Sequence, residues 1–367
     1  MANTLNLGDG NWATKEDSLL AYNSENNNYK PLPFDFSRAG FATRVNKDGL
    51  IETVGGGQAR IDYKDDSKGA LLLEPSRSNI ITYSEDFSQN SWTKTNSTIS
   101  SNQDISPDGT NNASLFSAVG EGRLRINFSP PSTERSFSIW VKSYNNTQSN
   151  GLLTFSGLNS ISFTTTNEWQ RITTTRDVAG DTFKCSLRTT DSSLLVWGAQ
   201  LEQGSYATSY IPTQGGVVTR LSDSCSQTVP DGVIGQTEGT VYMDFIAQKT
   251  DGQSQSHFWL GASGNEIGLY GGAQFVFYSS GGVQMNGGNI VNGQRYKVAF
   301  GYKANDYVAY INGTQVGTDT SATVPTMSGL AIGSYFNGTE VQKKNINNFK
   351  LYNTKLSNSE LEALTTI

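Results

Sequence analysis

The residue types that support nucleophilic or metal chemistry are scarce in this chain. It contains one histidine, His257, in the segment SQSHFWLG, and two cysteines, Cys185 and Cys225. A Ser–His–Asp or Cys–His arrangement needs a base beside its nucleophile, and a transition-metal site needs several His or Cys ligands. One histidine far in sequence from both cysteines therefore argues against both kinds of site. Two cysteines also cannot build a disulfide framework, so we expect two reduced thiols.

Paired carboxylates would indicate glycoside hydrolysis, which needs two acids roughly 5–10 Å apart across the scissile bond. On one face of a strand, such a pair would have a single residue between the two acids. The nearest approach to a pair in the C-terminal part is Glu238 with Asp244, and Asp306 and Glu266 are isolated acids that we interpret as turn and surface residues. We therefore predict that the protein is not an enzyme.

Aromatic residues make up 11% of the chain, and the apolar face of a sugar commonly stacks on such rings. Trp140, Trp169, Trp197 and Trp259 lie in predicted strands or at their edges, so core packing is the favoured interpretation for them. Four other aromatic residues lie near glycine-rich turns and are better placed for exposed contact. We predict that these four contact a glycan: Tyr270, Tyr278, Tyr335 and Phe336.

Charge and hydropathy exclude several classes of partner. The net charge is −6 and no cluster of Lys or Arg offers a phosphate-binding stripe, so we expect no nucleic-acid partner. No apolar run approaches the roughly 20 residues of a membrane span, so we expect no membrane partner. The first residues, MANTLNLGDGNW, have neither the basic nor the apolar region of a signal peptide.

Short alternating segments separated by polar turns run through most of the chain. In FSIWVKS, for example, Phe137, Ile139 and Val141 alternate with polar residues and Trp140, which predicts a strand with two different faces. Asn312–Gly313 predicts a two-residue type I′ hairpin, and Ser357 with Glu360 predicts a capping box at the start of a C-terminal helix. The pattern is typical of an all-β fold with two antiparallel jelly-roll or β-sandwich domains in series and one short C-terminal helix.

The composition shifts suggest four segments. They are an N-terminal attachment segment (1–78), a first jelly roll (79–213), a linker (214–236) and a second sandwich (237–367). The attachment segment is rich in Asn, is broken by Pro31 and Pro33, and has no apparent core of its own. We predict that a partner buries its large apolar side chains, that residues 1–40 are mobile in isolation, and that their deletion leaves both sandwiches folded. The alternative is a loose tail. The candidate anchor residues are Leu5, Leu7, Trp12, Leu19, Leu20, Phe34 and Phe36.

Three stretches resemble known families. ATRVNKDGLIETV, ARIDY and KGALLLEPSRSNIITYSEDFSQNSW together resemble a segment that recurs in bacteriophage structural proteins ahead of a lectin-like module. Residues 87–213, with FSIWVKS, EWQRITTT and VWGAQLEQGSYATSYIPT, resemble a jelly roll of the carbohydrate-binding-module type. Residues 237–367, with EGTVYMDF, NGQRYKVAFGYKANDYVAYINGTQVG and FKLYNTKLSNSELEAL, resemble the concanavalin A-like (laminin G-like) sandwich.

The resemblance implies a non-catalytic virion protein: a head fibre, a capsid decoration or a tail fibre. Its N-terminus would attach to other virion proteins of the capsid or tail, and its lectin-like domains would bind glycans of the host surface. Such a protein is made in the host cytoplasm and displayed on the virion surface, usually as a homo-oligomer, with a trimer favoured. The alternatives are a glycoside hydrolase on a concanavalin A-like fold and a bacterial surface lectin.

The resemblance to carbohydrate-binding modules also implies a candidate metal site. In such modules, acids near the first and last strands hold a structural calcium ion, which prefers oxygen ligands. Glu85, Asp86 and Glu202 occupy such positions in this chain, and plain surface acids are the alternative interpretation. No other cofactor is expected.

Overall fold

The computed structural model describes residues 4–15, 18–23, 28–129, 133–155, 159–178, 183–228, 231–248 and 254–367. Antiparallel strands form nearly all of its regular structure, and the described residues include one helix, α1 (Asn358–Thr365). The predicted all-β fold class with a short C-terminal helix is therefore confirmed. In the described part of the chain, no helix has the length and apolar character needed to span a membrane.

In chain order, the strands fall into three groups. The first group is β1 (Leu5–Gly8), β2 (Ala13–Lys15), β3 (Ser18–Asn23), β4 (Asn28–Ser37), β5 (Ala42–Val45), β6 (Ile51–Val54), β7 (Ile61–Asp62), β8 (Ala70–Leu73) and β9 (Arg77–Asn79). The second group is β10 (Thr93–Asp104), β11 (Ala113–Phe128), β12 (Thr133–Ser143), β13 (Asn150–Phe155), β14 (Asn159–Thr164), β15 (Gln170–Val178), β16 (Phe183–Thr190) and β17 (Ser193–Gln203). The third group is β18 (Val218–Arg220), β19 (Ser224–Thr228), β20 (Glu238–Ala247), β21 (Ser256–Ala262), β22 (Asn265–Tyr270), β23 (Gln274–Ser279), β24 (Val283–Asn289), β25 (Arg295–Lys303), β26 (Tyr307–Ile311), β27 (Thr314–Asp319), β28 (Gly329–Ile332) and β29 (Lys344–Tyr352).

The chain divides into two compact units whose limits differ from the predicted boundaries. The first unit combines residues 1–47, 54–75 and 221–367, and the second unit contains residues 48–53 and 76–220. The N-terminal strands thus belong to the same unit as the C-terminal sandwich, because they complete its sheets. Two strands lie within the described residues of the predicted linker, since β18 pairs with β9 in the second unit and β19 pairs with β28 in the first.

Two antiparallel ladders build the first unit. In one ladder, β29 pairs with β1, β8 and β20, and the order continues through β25 and β26 to β27. In the other, the order is β4–β19–β28–β21–β22–β23–β24. Alternate residues of each strand face the core: in β20, Val241, Met243 and Phe245 join the core cluster, whereas Tyr242 and Asp244 point to the outer face.

The N-terminal segment contributes directly to this core, which corrects the expectation that an external partner buries its apolar side chains. Leu5, Leu7 and Phe36 are 0%, 2% and 2% exposed and belong to the core cluster. Trp12 packs against the same cluster, and its Nε1 donates to the Gly69 carbonyl at 3.0 Å. The physical reason is that β1 adds to the edge of β29, with Leu5 opposite Leu351. The side chains of the other anchor candidates, Leu19, Leu20 and Phe34, lie outside the part of the chain that the structure describes.

A fully buried ion network also joins the N-terminal segment to the rest of the first unit. The guanidinium of Arg60 pairs with Glu74 at 2.8 Å and with Asp223, and Arg38 pairs with the same Asp223 at 3.0 Å. These four side chains are 0% exposed. Burial alone lowers the pKa of Arg60, but the charges of Asp223 and Glu74 outweigh this effect and raise the pKa overall. The two carboxylates therefore hold the guanidinium of Arg60 in its charged form.

In the second unit, the described strands form a sheet system in the order β14–β13–β16–β11–β17–β12–β15, with β10 paired to β11. The alternation predicted for β12 is confirmed. Phe137, Ile139 and Val141 enter the main core, whereas Trp140 joins a separate cluster with Trp197 and other aromatic residues. Trp197 is 1% exposed, which confirms its predicted place in the interior.

Two local predictions at the end of the first unit are confirmed. Asn312 and Gly313 both have positive φ angles, 50° and 78°, as a type I′ turn requires, and they connect β26 to β27. Ser357 caps α1, and Glu360 completes the capping box by accepting from the Ser357 backbone at 2.8 Å. Leu361 is fully buried and fixes the helix on a small apolar cluster of its own.

We expect the stability of the first unit to rise by about 1 kcal/mol between pH 7 and pH 8, because of Lys344. This side chain of β29 is fully buried, and burial lowers its pKa from 10.5 to about 7. The unfolded chain therefore binds more protons than the folded chain between pH 7 and pH 10.5, so folding becomes more favourable as the pH rises. Urea denaturation at the two pH values measures the effect. Lys344→Met should remove it, and an unchanged pH dependence in that variant would contradict the assignment.

Candidate functional site

Five aromatic side chains, which we call the aromatic cluster, meet on the outer side of the ladder that contains β21, β22 and β23. They are Trp259, Tyr270, Tyr278, Tyr335 and Phe336. In β21, Phe258 and Leu260 point into the core, so the alternation of the strand turns Trp259 to the opposite face. The last two residues come from the segment that follows β28. The structure therefore brings together all four predicted glycan-contact residues.

Trp259 is the centre of the aromatic cluster. Its ring stacks on Tyr270 at a centroid distance of 5.7 Å and an interplanar angle of 18°, and it meets Tyr335 edge-to-face at 5.1 Å. Tyr278 and Phe336 lie 5.9 and 5.8 Å from it. Offset-stacked and edge-to-face pairs at these distances are the favourable geometries for aromatic rings. The rings consequently hold each other in place.

Gly268 of β22 makes room for this arrangement. The strand register places Gly268 directly opposite Trp259, and a Cβ atom on Gly268 would lie 2.3 Å from the tryptophan ring. Any larger residue would push the ring off the sheet. The indole therefore lies flat against the backbone of the neighbouring strand.

One ring of the aromatic cluster is buried, and the other four are partly exposed. Trp259 is only 5% exposed, whereas Tyr270, Tyr278, Tyr335 and Phe336 are each partly exposed. Partly exposed rings held by a buried one offer apolar faces at little cost in side-chain entropy, and the three tyrosine hydroxyls add polar groups at their edges. Chemically, this surface can stack on the apolar face of a sugar and hydrogen-bond its hydroxyls.

One acid, Glu266, borders the aromatic cluster. Its Oε2 lies 3.5 Å from the Tyr335 hydroxyl, and burial raises the pKa of its carboxyl group. Glu266 is 7% exposed, which corrects its interpretation as a surface residue, whereas Asp306 is exposed as expected. Hydrolysis by the two-carboxylate route would need a second acid across the bond. Asp244 and Glu238 do not supply it as a pair, because each is bound to a different cation, Arg295 and Lys303.

The three candidate calcium ligands are not gathered into one site. Both carboxylate oxygens of Glu202 accept hydrogen bonds from Thr208, at 2.8 and 2.6 Å, and Glu202 is 0% exposed. Glu85 accepts from Tyr210 at 2.9 Å, and Asp86 accepts from Ser88 and Gln89 in the following turn. Among the described residues, no three His, Cys, Asp or Glu side chains are arranged to hold a metal ion. Hydrogen-bond donors of the protein thus already contact the three carboxylates that the resemblance suggested as calcium ligands.

His257 lies in the interior of the first unit. Its ring is 0% exposed and packs between Phe245 and Phe275 at 4.9 and 5.2 Å. Burial, and then the charge of Lys344, hold the pKa of His257 well below its usual value. Cys185 and Cys225 are both buried free thiols, one in the core of each unit.

Sequence reasoning missed the central role of Trp259, although a signal was present. Trp259 lies between Phe258 and Leu260, and both of these are core residues in a strand of period two. That alternation indicates that the tryptophan faces outward from the sheet. Its contacts with Tyr270 and Tyr278 additionally depend on the register of β22 and β23, which the sequence does not show.

Residues 223–362 match the model of the concanavalin A-like lectin/glucanases superfamily. This part of the first unit, which carries the aromatic cluster, is therefore similar to domains of that superfamily, in agreement with the predicted sandwich. No curated protein matches the chain in sequence.

Solved structures with similarity to parts of the chain include three carbohydrate-related proteins. A Trypanosoma rangeli sialidase mutant displaying trans-sialidase activity is 14% identical over 39% of this chain and 29% of its own, with a TM-score of 0.32. The CBM40 of Ruminococcus gnavus IT-sialidase, bound to α2,3-sialyllactose, is 19% identical over 36% and 84%, with a TM-score of 0.30. Domain 4 of AbnA, a GH43 extracellular arabinanase from Geobacillus stearothermophilus, in complex with arabinotriose, is 18% identical over 44% and 82%, with a TM-score of 0.32. The chain thus spans less than a third of the length of the sialidase.

Proposed function

We propose that this protein binds glycans without hydrolysing them, and that the aromatic cluster is the contact surface. The observation that carries the proposal is the grouping of four partly exposed rings around Trp259, in a region that matches the model of the lectin/glucanases superfamily. A sugar ring laid on Tyr270 or Tyr278 would bury apolar surface on both partners, and the neighbouring hydroxyl groups would orient it.

Tyr278→Ala is expected to weaken glycan binding about tenfold, because it removes one stacking ring worth about 1.4 kcal/mol. An array of bacterial surface oligosaccharides identifies a ligand for the unaltered protein, and isothermal titration then gives the dissociation constants. Tyr278→Phe, which keeps the ring, should retain most of the affinity. Phe41→Ala is the matched control, since Phe41 is an aromatic residue outside the aromatic cluster that is 74% exposed. Equal losses of glycan affinity in Tyr278→Ala and Phe41→Ala would show that the aromatic cluster is not the glycan-binding site.

The hydrolase alternative is tested with the same ligands. Release of reducing sugar from a bound oligosaccharide would contradict the non-catalytic proposal, and loss of that release in Glu266→Gln would assign the general acid. We expect no release from the unaltered protein and unchanged glycan affinity in Glu266→Gln.

We further propose that the protein belongs to a bacteriophage particle, as a head fibre, capsid decoration or tail fibre. The support for this placement is the resemblance of segments within residues 42–92 to phage structural segments. In this proposal the chain is made in the host cytoplasm, is attached to capsid or tail proteins as a homo-oligomer, with a trimer favoured, and presents its lectin domain to glycans of the host surface. Leu5, Leu7 and Phe36 cannot form the attachment surface, because they are buried in the first unit. Mass spectrometry of purified particles tests the placement, and absence of the chain from them would refute it.

A further inference from the structure

A polar pocket of about 340 Å³ lies in the first unit, away from the residues of the aromatic cluster. The turn after β1, the loop between β7 and β8, and the outer faces of β20, β25 and β29 enclose it. Its volume is at the lower end of the range of small-ligand sites, which is roughly 300–1,000 Å³. The pocket is therefore large enough for a single sugar unit.

A β-bulge shapes the floor of the polar pocket. In the pairing of β20 with β29, Asp244 lies opposite Asn348 and Phe245 lies opposite Ile346, so Asn347 is the extra residue of the bulge. A bulge interrupts the alternation of a strand, and in this one the consecutive residues Asn347 and Asn348 both line the polar pocket. Two side-chain amides are thereby presented to one small volume.

Both amides have a buried carbonyl oxygen without a hydrogen-bond donor. Asn347 and Asn348 are each 4% exposed, and neither Oδ1 atom has a partner among the described residues. The Nδ2 of Asn347 donates to a carboxylate oxygen of Asp66 at 2.8 Å. Because an ionised carboxylate only accepts hydrogen bonds, the Asn347 atom in this contact is the nitrogen, and the unpaired atom of the same amide is the oxygen. The Nδ2 of Asn348 donates to the Asn6 Oδ1 at 3.2 Å. Buried acceptors of this kind are costly unless a ligand or water donates to them.

The carboxylates that line the polar pocket are already bound to cations, whereas two ammonium groups are not. Arg295 holds Asp244 in a bidentate pair at 2.7 and 2.8 Å, and Lys68 pairs with Asp9. Lys297 and Lys350 form no ion pair with any residue that the structure describes. Lys297 donates to the Thr366 carbonyl at 2.8 Å, and the Lys350 ammonium lies 5.6 Å from the centre of the Tyr242 ring.

These two ammonium groups interact with each other. Burial is the main cause that lowers the pKa of Lys350, and Asp9 and Asp244 oppose it, but the charge of Lys297 lowers that pKa further. The strand register places both lysines beside the same stretch of β20, with Lys297 of β25 opposite Asp244 and Lys350 of β29 opposite Tyr242. An anion bound between them would remove the repulsion and would form charge-assisted hydrogen bonds with both.

From the unpaired amide oxygens and the two unpaired cations, we propose that the polar pocket binds a carboxylate-bearing sugar unit. The carboxylate would accept from Lys297 and Lys350, and two hydroxyl groups would donate to the Oδ1 atoms of Asn347 and Asn348. A sugar acid supplies both kinds of group on one ring of suitable size. This site shares no residue with the aromatic cluster, so one binding proposal can be refuted while the other still holds.

The full chain, titrated calorimetrically with sodium glucuronate and with glucose, tests the proposal. We expect glucuronate to bind and glucose to bind at least about tenfold more weakly, because a hydrogen bond to a charged group contributes about 1.5–3 kcal/mol. Lys350→Met should weaken glucuronate binding about tenfold. Lys297→Met is a second variant, which removes the other ammonium group, in case the first fails to fold. Lys303→Met is the matched control, since Lys303 lies on the same strand as Lys297, is 54% exposed and does not line the polar pocket.

Asn348→Asp provides the sharpest comparison, because it keeps the shape of the side chain but adds a negative charge. It should abolish the preference for glucuronate over glucose. Equal binding of the two sugars by the unaltered protein would overturn the proposal, and so would equal losses in Lys303→Met and Lys350→Met. Loss of glucuronate binding in Tyr278→Ala would also overturn it, because the ligand would then occupy the aromatic cluster.

Discussion

Arg60→Met should lower the free energy of unfolding of the first unit by about 3–5 kcal/mol. The substitution keeps most of the volume of the side chain but removes the guanidinium that pairs with both Glu74 and Asp223. Those carboxylates are 0% exposed, so water cannot replace the guanidinium without opening the core. An uncompensated buried charge is among the most destabilising changes that a single substitution can cause.

Urea denaturation followed by circular dichroism at pH 7 measures this change. Arg123→Met is the matched control, because Arg123 pairs with Glu121 at 2.7 Å and these side chains are 35% and 51% exposed. The control should shift the unfolding free energy by less than about 1 kcal/mol. If Arg60→Met is as stable as Arg123→Met, the buried network does not hold the first unit together.

Deletion of residues 1–40 is expected to unfold the first unit, which reverses the expectation from sequence. The deletion removes Leu5, Leu7 and Phe36 from the core, and each fully buried side chain of this size contributes about 1.5–3 kcal/mol. It also removes Arg38 from the ion network and leaves an edge of β29 unpaired. The summed loss approaches the total stability of an ordinary domain, about 5–15 kcal/mol.

Hydrogen–deuterium exchange of the truncated chain, residues 41–367, measures the effect as a loss of amide protection. Amides of β20, β25 and β29 should lose protection in the truncated chain, whereas the second unit, which contains no deleted residue, should keep it. Removal of Ile367, which is 69% exposed at the other end of the chain, is the control and should leave both patterns unchanged. Native protection of β29 in the truncated chain would show that the N-terminal strands are dispensable.

Local features were predictable from the sequence, and pairings between distant segments were not. The alternation of Phe137, Ile139 and Val141, the Asn312–Gly313 turn and the Ser357 capping box depend on residues within one turn or strand, so the local sequence contains them. The burial of Leu5 depends on its position opposite Leu351, near the other end of the chain. A polar, proline-broken stretch therefore resembled a tail, because its partner strand cannot be read from its own residues.

In the candidate site as well, the local sequence predicted some features, whereas others depended on strand pairing. Tyr270, Tyr278, Tyr335 and Phe336 were identifiable by their type and by the turns beside them. Their convergence on Trp259 required the register of three strands and the small size of Gly268. The unpaired oxygens of Asn347 and Asn348 required a bulge, and a bulge arises from the pairing of two strands rather than from either strand alone.

The antiparallel pairing of β1 with β29 has a consequence for synthesis of the chain. Residues 5–8 leave the ribosome about 340 residues ahead of residues 348–351, with which they pair. At about 5–20 residues per second, the wait is roughly 20–70 s, longer than most small domains need to fold. The second unit, almost continuous in sequence, can form during that interval. Strand β1 cannot pair before β29 has been made, so Leu5 and Leu7 remain accessible to chaperones during that interval.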